Sequence, residues 1–190
     1  RGFDPHTSPL ERETTKVSLF FVIHTCRSLC ASAYSRYICV KLIFTSSVFL
    51  QTRNMIEQKE ISLRPLPRGI HLVTGDIMRQ LPELPEKGVL NLLIKHTSAA
   101  LALNENADPD VRHDLNVIFD KLVPENAPYY LHVDEGSDDM PSHAKSVIVG
   151  SSLTVPITDG HLNLGIWQGI YLCEFRDYGG ARHIVATIIG

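Results

Sequence analysis

Apolar residues along this chain recur with two periods, and each period predicts an element. In residues 56–64 the apolar Ile56, Ile61 and Leu63 interleave with Glu57, Lys59, Glu60 and Arg64, as in a half-buried strand that Pro65 and Pro67 terminate. Residues 69–74 read as a second short strand, and residues 76–81 as one or two helical turns before Pro82 and Pro85. The dense apolar run 89–95 has buried-strand length and delivers the chain to His96-Thr97-Ser98, after which residues 99–103 continue as strand. A helix follows. Asp108 stands as N-cap, Pro109 as first helical residue and Asp110 at the positive end of the dipole. Val111, Leu115, Ile118 and Leu122 then repeat at helical spacing up to Pro124.

Residues 129–133 read as a strand that leads into an acidic loop. Asp138 or Asp139 caps a second helix, with Pro141 in its first turn and His143, Ala144 and Val147 along it, ending near Val149. Gly150-Ser151-Ser152 breaks it. Residues 153–157, 161–164, 170–175 and 182–189 read as strands. Asp159-Gly160 suits a primed hairpin turn, and Tyr178-Gly179-Gly180 reads as a second hairpin connection between the last two strands. Many short strands with hairpins and about two helices predict an α+β fold with largely antiparallel sheet.

Charge divides the chain. Residues 1–54 carry seven Lys and Arg against three acids, whereas residues 55–190 carry eleven against eighteen. The acidic part lacks the clustered cations of a nucleic-acid surface. No acid occurs between Thr14 and Ile56, and no apolar run there approaches the ~20 residues of a membrane helix. Residues 1–54 are expected to be an extension, disordered or outside the mature protein, with an organelle transit segment as the alternative; residues 55–190 form the domain. Cys26, Cys30 and Cys39 fall in the extension and Cys173 alone in the domain, which suits a reducing, cytoplasmic setting.

Candidate chemistry concentrates in residues 130–145, which hold His132, Asp134, Glu135, Asp138, Asp139, His143 and Lys145. Imidazoles from a strand, a helix start and the end of a buried strand (His132, His143 and His96) would converge on one divalent ion, Zn or Mg, with acidic oxygens completing the site. The alternative is that each caps a backbone group or lies at the surface. Asn104, Glu105 and Asn106 would orient the imidazoles or finish a turn. Ser151 and Ser152 offer hydroxyls and N–H groups to a phosphate, or simply end the helix. Trp167 with Gln168, flanked by Gly165 and Gly169, would stack on a ring and bond its edge, or pack in the core. Glu174 and Arg176 share one face opposite Arg182 and His183, where Glu174 or Arg176 would pair with its opposite across the strands, or Arg182 would meet a phosphate.

Several of these stretches resemble one family in the same order: His96-Thr97-Ser98-Ala99-Ala100, Asn104 to Asp110, His132, Asp138 to Lys145, Gly150-Ser151-Ser152, Leu164 to Gly169, and Glu174. They are similar to the YjbQ family, also called the secondary thiamine-phosphate synthase family, over about residues 55–190. The resemblance implies a compact domain with β-sandwich-like sheets, a homotrimer, and weak thiamine phosphate synthase activity, in which a pyrimidine pyrophosphate joins a thiazole phosphate and pyrophosphate leaves. Under that reaction Glu135, Asp139, Lys145, Glu174 and Arg182 form the catalytic set, and Asn104, Asn106, Ser151, Ser152, Trp167 and Gln168 meet the phosphorylated heterocycle. The alternatives are a metal- or ligand-binding oligomer without physiological catalysis and a metal-assisted hydrolase.

Overall fold

The computed structural model describes residues 56–190. The extension expected over residues 1–54, with its three cysteines, lies outside the described residues. Eight strands and three helices follow in the order β1 (Ile56–Leu63), β2 (Gly69–Leu72), α1 (Thr74–Met78), β3 (Lys87–Ile94), β4 (Ala99–Glu105), α2 (Pro109–Leu122), α3 (Asp139–Val149), β5 (Ser152–Thr158), β6 (His161–Leu162), β7 (Gln168–Glu174) and β8 (Arg182–Ile189). The fold is α+β and its pairings are antiparallel. One sheet runs β1-β8-β3-β5-β6 and the other β2-β7-β4.

Strand alternation explains the layering. Ile61 and Leu63 of β1, Leu90, Leu92 and Ile94 of β3, and Ile184, Ala186 and Ile188 of β8 point inward from the five-stranded sheet. They meet Ala99, Leu101, Ile170 and Leu172 from the other sheet, making a sandwich core. Each such side chain taken out of water contributes about 1.5–3 kcal/mol. The intervening residues of the three-stranded sheet, Ile70, Ala100, Tyr171 and Cys173, face outward beneath Leu115 and Phe119 of α2 and Val149 of α3. β7 is therefore buried on both faces, and burial pushes the Cys173 thiol up to about 12.

Asp108 caps α2 as expected, its carboxylate accepting from the Asp110 N–H at 2.8 Å. Asp159 and Gly160 both take positive φ (51° and 73°), the backbone of a type I′ turn between β5 and β6.

Three expectations change. Residues 129–133 are not a strand: among the described residues no strand pairs with them, and the chain turns where the Tyr130 N–H bonds the Ala127 carbonyl. Leu131 is left 97 % exposed. Residues 175–181 do not join a hairpin, because β7 and β8 belong to different sheets and the chain crosses from one to the other. The apolar stripe of α2 is only partly covered: Leu115 and Phe119 pack inward, whereas Ile118 and Leu122 face out. No helix among the described residues is long and apolar enough to cross a membrane.

Candidate functional site

The sandwich opens at one end, where β3 passes to β4 and β7 crosses to β8. The first turn of α3 and the loop before it close over that end and leave a cleft of about 450 Å³. Thr97, Ser98, His132, Asp139, His143, Arg176 and Arg182 are among the residues that line it. Gly136, at φ 113°, lets the loop reverse so that His132 returns toward the helix it precedes.

Asp139 and His143 lie one helical turn apart, which stacks them on one face of α3. Asp139 Oδ2 is 3.4 Å from His143 Nε2 and 2.6 Å from His132 Nε2. One ligand atom from each of the three lies within 4.8 Å of the others. The proton positions are decisive. His143 Nδ1 is 3.1 Å from the Thr97 carbonyl, which can only accept, so in the neutral ring Nδ1 carries the proton and Nε2 presents its lone pair. That lone pair faces a carboxylate oxygen that is buried and receives no aligned hydrogen bond. Two acceptors facing each other across 3.4 Å, the carboxylate buried and the imidazoles part-exposed, suit a cation between them. The donor set, two imidazoles and a carboxylate with one side open, suits a divalent ion, and the His143–Thr97 bond is the outer-shell contact that orients a ligating imidazole. The residues present thus fit a metal.

Two arginines border this group. Arg176 pairs through Nη1 with Asp139 and through Nε with Asp138 at 3.1 Å, and it donates to the Glu135 carbonyl at 3.0 Å. Asp138 sits at the N-cap position of α3, but its side chain does not cap; it accepts from the Asp177 N–H at 2.9 Å instead. Arg182 is bidentate to Glu174, both contacts 2.6 Å, and both side chains are buried. A Cβ at Gly179 would collide with this pair, so the crossing needs glycine there.

His96 is not with the other two imidazoles, which corrects the expectation of a three-histidine centre. Its Nε2 accepts from the His183 N–H at 2.8 Å, and its Nδ1 faces Arg182 Nη1 at 3.2 Å. Burial first, then the Arg182 charge, lowers its pKa and keeps it neutral. Neither ring nitrogen is free to ligate.

Lys145 is also misplaced by the sequence reading. It is 1 % exposed and turned away from the cleft, with Nζ 2.5 Å from Asp120 and above the Phe175 ring. Asp120 also binds Arg68, whose other partner Glu125 accepts from Ser137 at 2.5 Å. This network ties the loop that carries His132 to α2 and α3.

Trp167 and Gln168 do not border the cluster of His132, Asp139 and His143. They line a separate hollow of about 400 Å³ with Asn104 and Glu105. β4 and β7 pair Glu105 with Gln168 at that end and Ala99 with Glu174 at the other, so six residues, about 20 Å of strand, separate the two places. Asn106 is a brace: its backbone N–H bonds the Trp167 carbonyl at 2.8 Å and its amide the Ile166 and Gln168 carbonyls. Asn104 bonds only the next N–H, at 2.8 Å. Ser151 and Ser152 are exposed and lie outside the cleft lining. Glu135 lines the cleft with an exposed side chain.

Sequence reasoning missed the Thr97 carbonyl, and it read Asp138 as an acidic-loop or capping residue and Arg176 as a strand ion pair rather than as partners of each other here. Arg176 alone had a signal, a cation two residues beyond a buried glutamate.

Comparison with known proteins agrees with this architecture. A family model described as "UPF0047 protein YjbQ-like" matches residues 59–190. The chain is similar to the UPF0047 protein YjbQ of Salmonella typhimurium, 53% identical over 135 residues that cover 70% of this chain and 97% of that protein. It is 50% identical to the protein of the same name from Escherichia coli O157:H7 with the same coverage. A crystal structure of an uncharacterised YjbQ/UPF0047 protein from Clostridium acetobutylicum is 35% identical, with a TM-score of 0.59, over 69% of this chain and 99% of that one.

Proposed function

The chain belongs to the YjbQ-like UPF0047 family, and we propose that it is a divalent-metal protein that receives the phosphate or pyrophosphate of a small phosphorylated molecule. The observation that carries this reading is the buried Asp139 Oδ2 on which the Nε2 atoms of His132 and His143 converge, at 2.6 and 3.4 Å. A divalent ion held there supplies Lewis acidity toward a phosphate oxygen. Arg182, fixed by Glu174, lines the same cleft and contributes its positive charge to it. Ser98 Oγ, 3.3 Å from Arg182 Nη2, adds a hydroxyl beside it.

The reaction implied by the resemblance, weak thiamine phosphate synthesis, draws on such groups, since displacing pyrophosphate needs charge stabilisation more than a nucleophilic side chain. Lys145 has no part in it, being committed to Asp120. A metal-assisted hydrolase is the second reading. It is favoured by the exposure of His132 and Glu135, which lets water reach the cluster. Self-association into the expected homotrimer has support in the uncovered Ile118, Leu122, Leu131 and Val147. Light scattering tests it: three chains per particle are expected, and a monomer at micromolar concentration refutes it.

Metal content tests the reading itself. The full chain, stripped with chelator and dialysed against zinc, should retain one equivalent per chain by elemental analysis, and His143→Ala should retain none. Equal retention by both, or none by either, refutes the metal reading.

A further inference from the structure

The charge census of the cleft carries one step more. Its ionised groups and their direct partners are four carboxylates, Glu135, Asp138, Asp139 and Glu174, against two guanidiniums, Arg176 and Arg182. Neither guanidinium is free: Arg182 is clamped by Glu174, and Arg176 lies between Asp138 and Asp139. Lys95 and Lys145 are paired elsewhere, with Glu60 and Asp120. Carboxylates outnumber guanidiniums there by two, and that surplus repels an incoming phosphate. A divalent ion at the cluster cancels that surplus and contacts Asp139, the carboxylate that holds Arg176.

Resting on the metal reading above, we propose that this cleft has no useful phosphate affinity until a divalent ion occupies His132, Asp139 and His143. Arg176 then serves as an anion contact that Asp139 masks until the ion arrives, while Arg182 stays clamped by Glu174. Coupling of this kind is reciprocal: phosphate must tighten metal retention by the same factor that metal tightens phosphate binding. It also sets the order of events, since the negative cleft attracts the cation first.

Calorimetric titration of inorganic phosphate into the full chain tests this. The metal-stripped protein should show no saturable phosphate binding at millimolar concentration, and the protein carrying one equivalent of zinc should bind at least about tenfold more tightly. The metal-stripped variants E135Q and D138N each remove one negative charge, and both should gain phosphate binding without metal. Glu135 has an exposed side chain, so E135Q keeps the test valid even where D138N perturbs the helix start. Metal-stripped wild type that binds phosphate as tightly as the zinc form overturns the proposal and leaves the metal reading standing. Failure to take up zinc at all overturns both.

Discussion

His96 and His143 both attach to the turn between β3 and β4, one by sequence and the other through the Thr97 carbonyl, yet they do opposite work. His96 accepts the His183 N–H at Nε2, so its Nδ1 carries the proton and faces Arg182, and it belongs to a closed group with Glu174 and Ser98. His143 has one nitrogen satisfied and the other aimed, with His132, at the buried Oδ2 of Asp139, which receives no aligned hydrogen bond among the described residues. The first group is complete within the chain and reads as scaffold. The second is incomplete and reads as a place for a cation. Residue type does not separate them; the hydrogen-bond account does.

The largest effect is expected where the closed group is broken. Glu174→Ala leaves Arg182 buried without its partner and should cost about 3–5 kcal/mol in denaturant unfolding. A loss below about 1 kcal/mol would mean the pair is not the scaffold described here. Next comes the open group. His143→Ala should weaken zinc affinity by more than the roughly 10–100-fold that outer-shell changes cost, while losing only about 0.5–1.5 kcal/mol of stability with its bond to Thr97. His96→Asn should do the reverse. It should cost about 1–3 kcal/mol by unpairing the His183 N–H, and leave zinc affinity unchanged. Equal loss of zinc in both variants would erase the distinction between the groups.

The smallest effect is in acid. His96 titrates below its ordinary 6.5, chiefly because of burial and then Arg182. Its folded pKa is depressed, so the stability it contributes is full above 6.5 and is lost as pH falls through the folded value. Hydrogen bonds from Lys145 and Arg68 outweigh burial and hold Asp120 below its ordinary 3.8, and bonds from Ser137 and Arg68 hold Glu125 below 4.5. Their contribution is full above those values and is lost below them. The melting temperature should therefore decline from pH 6.5 downward and more steeply below 4.5; a melting temperature that rises over that range contradicts the assignment.

What the sequence made legible was local. The cap at Asp108, the Asp159-Gly160 turn, and the alternation that sorts Ile184, Ala186 and Ile188 to one face are settled by neighbours within a few residues. What it hid depends on topology. Residues 129–133 have strand composition but, among the described residues, no strand that pairs with them. Tyr178-Gly179-Gly180 looks like a hairpin, yet it is a crossing between sheets that brings Arg176 and Arg182 to the cleft. His132 and His143 were legible as a pair because loop and helix start are close in sequence. His96 was grouped with them wrongly, because its bonds to His183 and Arg182 come from a strand 86 or 87 residues away. Lys145 misled for a related reason: a lysine beside acids in sequence can turn to the far side of its helix and bind another.

The most direct test is a crystal of the full chain soaked in zinc and measured at the zinc absorption edge. The account predicts an anomalous peak at about 2.0–2.2 Å from Nε2 of His132, Nε2 of His143 and Oδ2 of Asp139, with His96 still bonded to the His183 N–H. A peak on His96, or no peak at the Asp139 cluster, would contradict it.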